Sequence, residues 1–271
     1  MQPYMTVDGL SAGYSGIPIL QGFDLEVPPG KITTLIGTNG SGKSTALKAM
    51  SRLLSPLKGT VYLEGMSIHS MPTKLVAQKL ALLPQGSQAP QGVTVRDLVE
   101  FGRFPYRTRL SGLTAKDIEV VDWALSCTDM AKLADRDMDR LSGGQRQRGW
   151  IAMALAQKTD ILFLDEPTTY LDISHQLEVL QLLQQLNKEQ GVTVVMVLHD
   201  LNHAIMFSDY LVAIKDGERN YAGTPSEIIT PEMLRDVFDV EAEVIRHPVL
   251  GMPVCLPYGV RGQTFAACAN D

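Results

Sequence analysis

Eight residues, Gly37-Thr38-Asn39-Gly40-Ser41-Gly42-Lys43-Ser44, constrain this chain more than any other stretch. They fit G-x-x-x-x-G-K-[ST] in full, and each element of that pattern has a physical reason. Glycines let the backbone curl close to phosphate groups so that successive N–H groups point inward, and a helix starting there adds its positive end. The lysine supplies a point charge to β- and γ-phosphates, and the hydroxyl after it supplies an oxygen for Mg2+. The flanks agree. Lys31–Ile36 is a compact apolar run, and residues 43–54 carry Leu47, Met50, Leu53 and Leu54 at helical spacing until Pro56 stops them. A glycine-rich turn that merely joins two elements is set aside, because strand and helix are both in place.

The same patterning extends along the chain. Ile161–Leu164 and Val192–Leu198 are apolar runs of the kind buried on both faces of a parallel sheet. Between them, His175–Gln190 places Leu177, Leu180, Leu183 and Leu186 along one side, with Gly191 as C-cap. Met5–Asp8 and Ile19–Val27 read as short strands, and Tyr210–Ile214, Asp216-Gly217 and Glu218–Ala222 as a hairpin with a tight turn. From about 88 to 158 strand-like runs give way to three helical patterns, marked by Val95, Leu98, Val99 and Phe101, by Ile118, Val121, Trp123 and Leu125, and by Trp150, Ala154 and Leu155. The expected class is α/β, with a mixed, mainly parallel sheet core, an antiparallel β subdomain and a helical insert. Residues 5–240 are expected to form the domain, and 241–271 a short irregular appendix carrying Pro248, Pro253 and Pro257.

Composition narrows the function classes. With 24 Lys and Arg against 30 Asp and Glu, the net charge of −6 works against a free-standing nucleic-acid binder, whose affinity rests on phosphate contacts. Arg103, Arg107 and Arg109, and Arg136, Arg140, Arg146 and Arg148, are not interleaved with stacking aromatics; solvated faces and salt-bridge partners are expected there. Cys127, Cys255 and Cys268 form no C-x-x-C pair, so neither a disulfide framework nor a structural zinc site is indicated, and the usage fits a reducing compartment. The start, MQPYMTVDGL, has neither the charged n-region nor the apolar h-region of an export signal. Apolar stretches such as Val192–Leu198 reach about a third of the ~20 residues a membrane helix needs.

Three further motifs carry chemistry. The run Ile161–Leu164 ends in Asp165-Glu166-Pro167, and a carboxylate at such a strand tip reaches a metal held by the phosphate loop, which assigns Asp165 to Mg2+. Glu166 would then face the γ-phosphate side and polarise the attacking water. Leu141-Ser142-Gly143-Gly144-Gln145-Arg146 sets a hydroxyl and two glycines before an apolar helix, a second helix start suited to phosphate. His199-Asp200-Leu201-Asn202-His203 is one residue away from the zinc pattern H-E-x-x-H. Since His199 terminates an apolar strand, the two histidines should not share a helical face. His69, His175 and His247 have no ligand spacing.

Taken together, the glycine loop, the Leu-Ser-Gly-Gly-Gln signature, Asp165-Glu166 and a His-Asp after the next strand resemble the ATP-binding cassette (ABC) ATPases, over nearly the whole chain. The resemblance implies a P-loop NTPase cassette using ATP and Mg2+. Gly37, Thr38, Asn39, Gly40, Ser41, Gly42, Lys43, Ser44 and Thr45 would hold the phosphates, and Tyr14 would stack on adenine. By the same resemblance Ser44, Gln85 and Asp165 would hold the metal. Lys43, Gln85, Glu166 and His199 would form the catalytic set, with Gln85 also joining core to insert. Ser142, Gly143, Gly144, Gln145 and Asp172 would meet nucleotide across a dimer seam. One loop and one signature per chain imply two copies stacked head to tail around ATP.

Thr94–Pro105, Gln145–Met153, Thr168–Gln176, Leu198–Asn202 and the tail around Gly251-Met252-Pro253 are similar to the ATPases of ferric-siderophore importers. That branch implies a peripheral subunit on the cytoplasmic face of the cell membrane. Its partners would be integral-membrane permease subunits and, indirectly, an extracytoplasmic substrate-binding protein, with no nucleic acid. Haem or cobalamin import, an exporter cassette and a non-transport ABC ATPase are the alternative readings.

Overall fold

The computed structural model describes residues 4–107 and 112–262; Arg109 and Cys268 lie outside them. Strands β1 (Met5–Tyr14), β2 (Ile17–Val27) and β3 (Ile32–Ile36) precede the glycine loop and helix α1 (Lys43–Met50). β4 (Lys58–Leu63), β5 (Met66–Ser67), α2 (Thr73–Lys79) and β6 (Leu80–Leu83) lead into a helical segment of α3 (Val95–Phe101), α4 (Ala115–Cys127) and α5 (Gly143–Ala156). The chain returns through β7 (Ile161–Asp165), α6 (Ile173–Gln190), β8 (Thr193–Val197), α7 (Leu201–Phe207), β9 (Tyr210–Lys215) and β10 (Glu218–Gly223). It closes with α8 (Pro225–Ile228), α9 (Pro231–Phe238), β11 (Val240–Arg246) and β12 (Pro253–Val260).

The central sheet has the order β10-β9-β3-β8-β7-β6, parallel throughout except for β10. A second, antiparallel sheet runs β2-β1-β4-β5. Alternate side chains of the central strands serve two cores, as the two-residue period requires. Leu35, Ile161, Phe163, Val195, Val197, Val212 and Ile214 face α1 and the antiparallel sheet. Ile32, Ile36, Leu162, Leu164, Val194, Met196, Leu211 and Ala213 join the core shared with α6, α7, α9 and the helical segment. This two-sided burial explains why the central strands read as unbroken apolar runs. The hairpin turn at Asp216-Gly217 has both residues at positive φ, 52° and 81°, and Gly191 caps α6 at φ 68°.

Two expectations are corrected. Helix α1 ends at Met50 rather than 54: Arg52 takes φ 66°, and the amides of Leu53 and Leu54 both turn back to Lys48 O. Leu53 continued the spacing but is 67 % exposed, so the periodicity outran the helix. The tail is not irregular: β11 and β12 form an antiparallel hairpin packed on the core through Ala242 and Cys255. Its prolines misled because a two-stranded sheet leaves one edge of each strand free. Pro253 opens β12, Pro257 sits opposite Ala242 at the register shift, and Pro248 lies in the turn.

The helical segment is tied together by a buried ion pair. Arg103, 4 % exposed, donates Nε to Asp117 Oδ1 at 2.8 Å and Nη1 to Ala156 O at 2.7 Å. Asp117 also closes the α4 capping box with Thr114; the Thr114 hydroxyl, with Arg103 adding to it, holds this carboxyl down to about 2. Arg103→Ala would strand a buried carboxylate and is expected to cost about 3–5 kcal/mol in a urea melt at neutral pH. Because the folded pKa lies below that of a free aspartate, the carboxylate's contribution is complete above about pH 4 and is lost as pH falls towards 2. A variant within 1 kcal/mol of the parent would refute this account. Arg140 and Arg148 are paired as well, with Asp137 and with Asp129 and Glu178.

Candidate functional site

The parallel neighbours β3, β8, β7 and β6 all end at one edge of the central sheet, where open α/β sheets bind their ligands. The glycine loop follows β3, Gln85 follows β6, Asp165 ends β7 with Glu166 just after it, and His199 follows β8. Sequence-distant groups are thereby collected into one site.

Backbone geometry in the loop requires glycine at two positions. Gly37 has φ 148°, and a Cβ there would collide with the Ile214 carbonyl. Gly42 caps α1 at φ 106°, with Leu20 Cδ2 2.8 Å from where a Cβ would stand. The Lys43 ammonium folds back to donate to Gly37 O at 2.9 Å and Thr38 O at 2.8 Å. Burial lowers its pKa, opposed by the carboxylates of Glu166 and Asp165. Ser41 Oγ is buried in the loop and has no partner among the described residues, a hydroxyl that fits a phosphate oxygen. Ser44, beside Lys43 at the start of α1, donates Oγ to Asp165 Oδ1 at 2.8 Å. Burial raises the Asp165 pKa, with the Glu166 charge adding to it and the Ser44 hydrogen bond and the Lys48 and Lys43 charges opposing it. A hydroxyl and an acidic oxygen beside a phosphate cradle suit a hard divalent cation.

Glu166 takes φ 54°, which turns its side chain off the end of β7. Its Oε2 accepts from Gln85 Nε2 at 2.5 Å and from Thr169 Oγ1 at 3.0 Å, and its Oε1 lies 2.6 Å from His199 Nε2. Helix α7 starts at Leu201 under an Asp200 cap, so His199 and His203 do not share a helical face. Tyr14, half exposed, ends β1 at the tip of the β1–β2 hairpin, whose Ile19 and Leu20 pack on Gly42.

Ser142, Gly143, Gly144 and Gln145 form the first turn of α5. Ser142 Oγ accepts from Gln145 N, and Gln145 Oε1 accepts from Ser142 N. Asp172 caps α6, accepting from the His175 amide and the Ser174 hydroxyl; those bonds hold its carboxyl below the usual range. A cleft of about 240 Å³ between helical segment and core is lined by Pro84, Gly143, Arg146, Trp150, Glu166 and Tyr170. Among the described residues no hydrogen bond joins Ser142–Gln145 to the loop at 37–45. Loop and signature therefore stand as separate halves. Sequence reasoning missed Thr169 and His175. Thr169 had one signal, a hydroxyl three residues after Glu166; His175 had one as well, Asp172 three residues before it, but its contact with Gly144 comes from another helix.

Glycine cradle, lysine, hydroxyl–carboxylate pair and anchored glutamate on one parallel sheet edge define a nucleoside triphosphatase of the P-loop class. The model of the ABC transporter family matches residues 20–169, and the chain belongs to that family, an ATP-binding, ATP-hydrolysing cassette. It is 52% identical over 254 residues, 94% of each chain, to the iron(3+)-hydroxamate import ATP-binding protein FhuC of Bacillus subtilis. It is 49% identical over 259 residues to the petrobactin import ATP-binding protein FpuD of Bacillus anthracis, covering 96% of this chain and 95% of the relative. Among solved structures, a metal-chelate type ABC transporter in an inward-facing conformation superposes with TM-score 0.83 at 27% identity, covering 95% of this chain and 98% of that one. A bacterial ABC transporter cassette solved as a dimer gives TM-score 0.72 at 29% identity, covering 81% and 98%.

Proposed function

We propose that this chain is the ATPase subunit of an ABC importer that energises uptake of an iron–siderophore complex. The observation that carries the chemistry is the Glu166 carboxylate, held by Gln85, Thr169 and His199 beside the Ser44–Asp165 pair. The named import functions of its relatives support the cargo class.

Ser44, Asp165 and Gln85 would hold Mg2+, which would neutralise charge on the β- and γ-phosphates. Lys43 has three donors and uses two on carbonyls, leaving an N–H for a phosphate oxygen. The loop amides, Ser41 and Thr45 would bind the remaining oxygens, and Tyr14 would cover the base. Glu166 would orient and polarise the attacking water, with His199 and Gln85 fixing both oxygens of its carboxylate. This is catalysis by positioning and charge stabilisation.

Because one chain offers a loop and a signature that do not meet, the working form in this reading is a homodimer. Ser142, Gly143, Gly144, Gln145 and Asp172 of one copy would face the ATP held by the other. Closing such a dimer from 1:99 to 99:1 takes about 5.5 kcal/mol of differential affinity, which two nucleotides would share. Residues 5–240 would form the ATPase domain, with the insert at 88–158 and the C-terminal hairpin appended. No helix among the described residues is long and apolar enough to cross a membrane. A groove of about 460 Å³ lined by Leu53, Val76, Leu80, Leu82 and Pro84 ends one residue before Gln85. It would receive a permease helix and pass nucleotide state through Gln85, with the chain peripheral on the cytoplasmic face and a substrate-binding protein outside.

The test is uptake of iron-loaded siderophores, haem and cobalamin by the native host carrying Lys43→Ala. Loss confined to a siderophore is the expected result and names the cargo. Loss confined to haem or cobalamin would move the chain to those importers, and undisturbed uptake of all three would overturn the import reading.

A further inference from the structure

We propose that His175 is a positioning residue that joins the signature turn to the Asp172 turn, so that both segments facing the partner's nucleotide move as one. The inference rests on the dimer reading above and adds to it a residue with no role there.

His175 sits in the first turn of α6. Its Nδ1 lies 2.6 Å from Asp172 Oδ1, the oxygen that also accepts the His175 amide and the Ser174 hydroxyl. The Cδ2 side of the ring lies against Gly144, where an added Cβ would collide with it. Next to this contact Leu171 Cδ2 stands 3.3 Å from where a Cβ of Gly143 would be. Along the same pair of helices, Arg148 Nη2 donates to Glu178 Oε2 at 2.8 Å.

Neither helix needs the imidazole in order to start. The α6 cap is a bond from Asp172 to a backbone amide, which any residue at 175 supplies, and the α5 capping box is closed by Ser142 and Gln145 alone. What the ring adds is a polar-anchored link between the two turns, beside the apolar contact of Leu171 with Gly143. It bonds one and abuts the backbone of the other, an approach that only glycine at 144 permits. Helix α5 belongs to the insert and α6 to the core, and the other flank of this junction is the open 240 Å³ cleft. A rotation of the insert that closed the cleft would therefore turn about this junction, of which the imidazole is a part.

The experiment places His175→Ala, His175→Phe and His175→Asn in a Glu166→Gln background. It follows ATP-driven dimerisation by light scattering, ATP binding to the monomer by calorimetry, and melting temperature. Turnover is measured in the Glu166 parent. His175→Ala should raise the ATP needed for half-maximal dimerisation, and KM, about tenfold, the coupling expected of one contact pair. Monomer affinity should stay within twofold, since the 37–45 loop lies elsewhere. His175→Phe keeps the wedge and loses the tether, and His175→Asn does the reverse; each should fall between parent and alanine. Dimerisation within twofold of the parent in all three variants would overturn the proposal, as would losses that simply track melting temperature. Failure of the Glu166→Gln parent to dimerise with ATP would instead overturn the dimer reading.

Discussion

Replacing Glu166 by Gln is expected to lower ATP turnover by about a thousandfold while nucleotide affinity stays within a few-fold of the parent. The substitution is nearly isosteric but removes the charge that polarises water, and a positioned general base contributes roughly 10²–10⁴-fold. The geometry makes the loss more than a matter of charge. Glu166 is an acceptor for Gln85 and Thr169 on one oxygen and lies against His199 on the other. A glutamine amide nitrogen facing Gln85 meets a donor, and one facing His199 is accepted only by the tautomer whose Nε2 is unprotonated, so the contacts around residue 166 must rearrange. The Lys43 bonds and the Ser44–Asp165 bond do not pass through this side chain, which is why binding should survive. Phosphate release and equilibrium ATP binding measured on the same preparation check both halves. Turnover above a tenth of the parent's would remove Glu166 from the role assigned to it.

The second large effect is expected at Lys43. Lys43→Ala removes a charged donor from the phosphate cradle, and hydrogen bonds to charged groups contribute about 1.5–3 kcal/mol each. ATP affinity should fall roughly a hundredfold, and hydrolysis should drop below detection. The fold should not suffer in proportion. Burial already disfavours the ammonium, and of its two carbonyl partners the Thr38 oxygen is only partly buried, so water can take over one of the two bonds. A ligand at a hundred times its dissociation constant stabilises by about 2.7 kcal/mol. The parent should thus melt higher with saturating ATP, and the variant should not shift at the same concentration. A shift of equal size would show that the loop binds phosphate without its lysine. A variant that melts far lower without ATP would assign Lys43 a structural role instead.

The elements legible in the sequence were those with a local cause. The turn at Asp216-Gly217, the cap at Gly191 and the two-sided runs of β7 and β8 are written in residues next to one another. The same locality explains the errors. Leu53 and Leu54 extended a helical spacing past the point where Arg52 turns the chain into the left-handed region. Pro253 and Pro257 argued against strands that tolerate them only because the β11–β12 pair has free edges. Arg103 could be read as a salt-bridge partner, but its burial between Asp117 and the Ala156 carbonyl depends on three helices meeting.

The sequence by itself determined the phosphate cradle, since the positive φ values of Gly37 and Gly42, the ammonium and the hydroxyl are properties of consecutive residues. It also marked, by resemblance, the family and every side chain of the proposed catalytic set. Only the tertiary structure decided that these groups share a site. The order β3-β8-β7-β6 is a matter of long-range pairing, and it carries Gln85, Asp165, Glu166 and His199 to one edge from positions spread over more than a hundred residues. The same long-range packing sets His175 of α6 against Gly144 of α5, a contact with no trace in local spacing. Backbone conformation is chosen residue by residue, whereas the company a side chain keeps is chosen by how the sheets and helices stack.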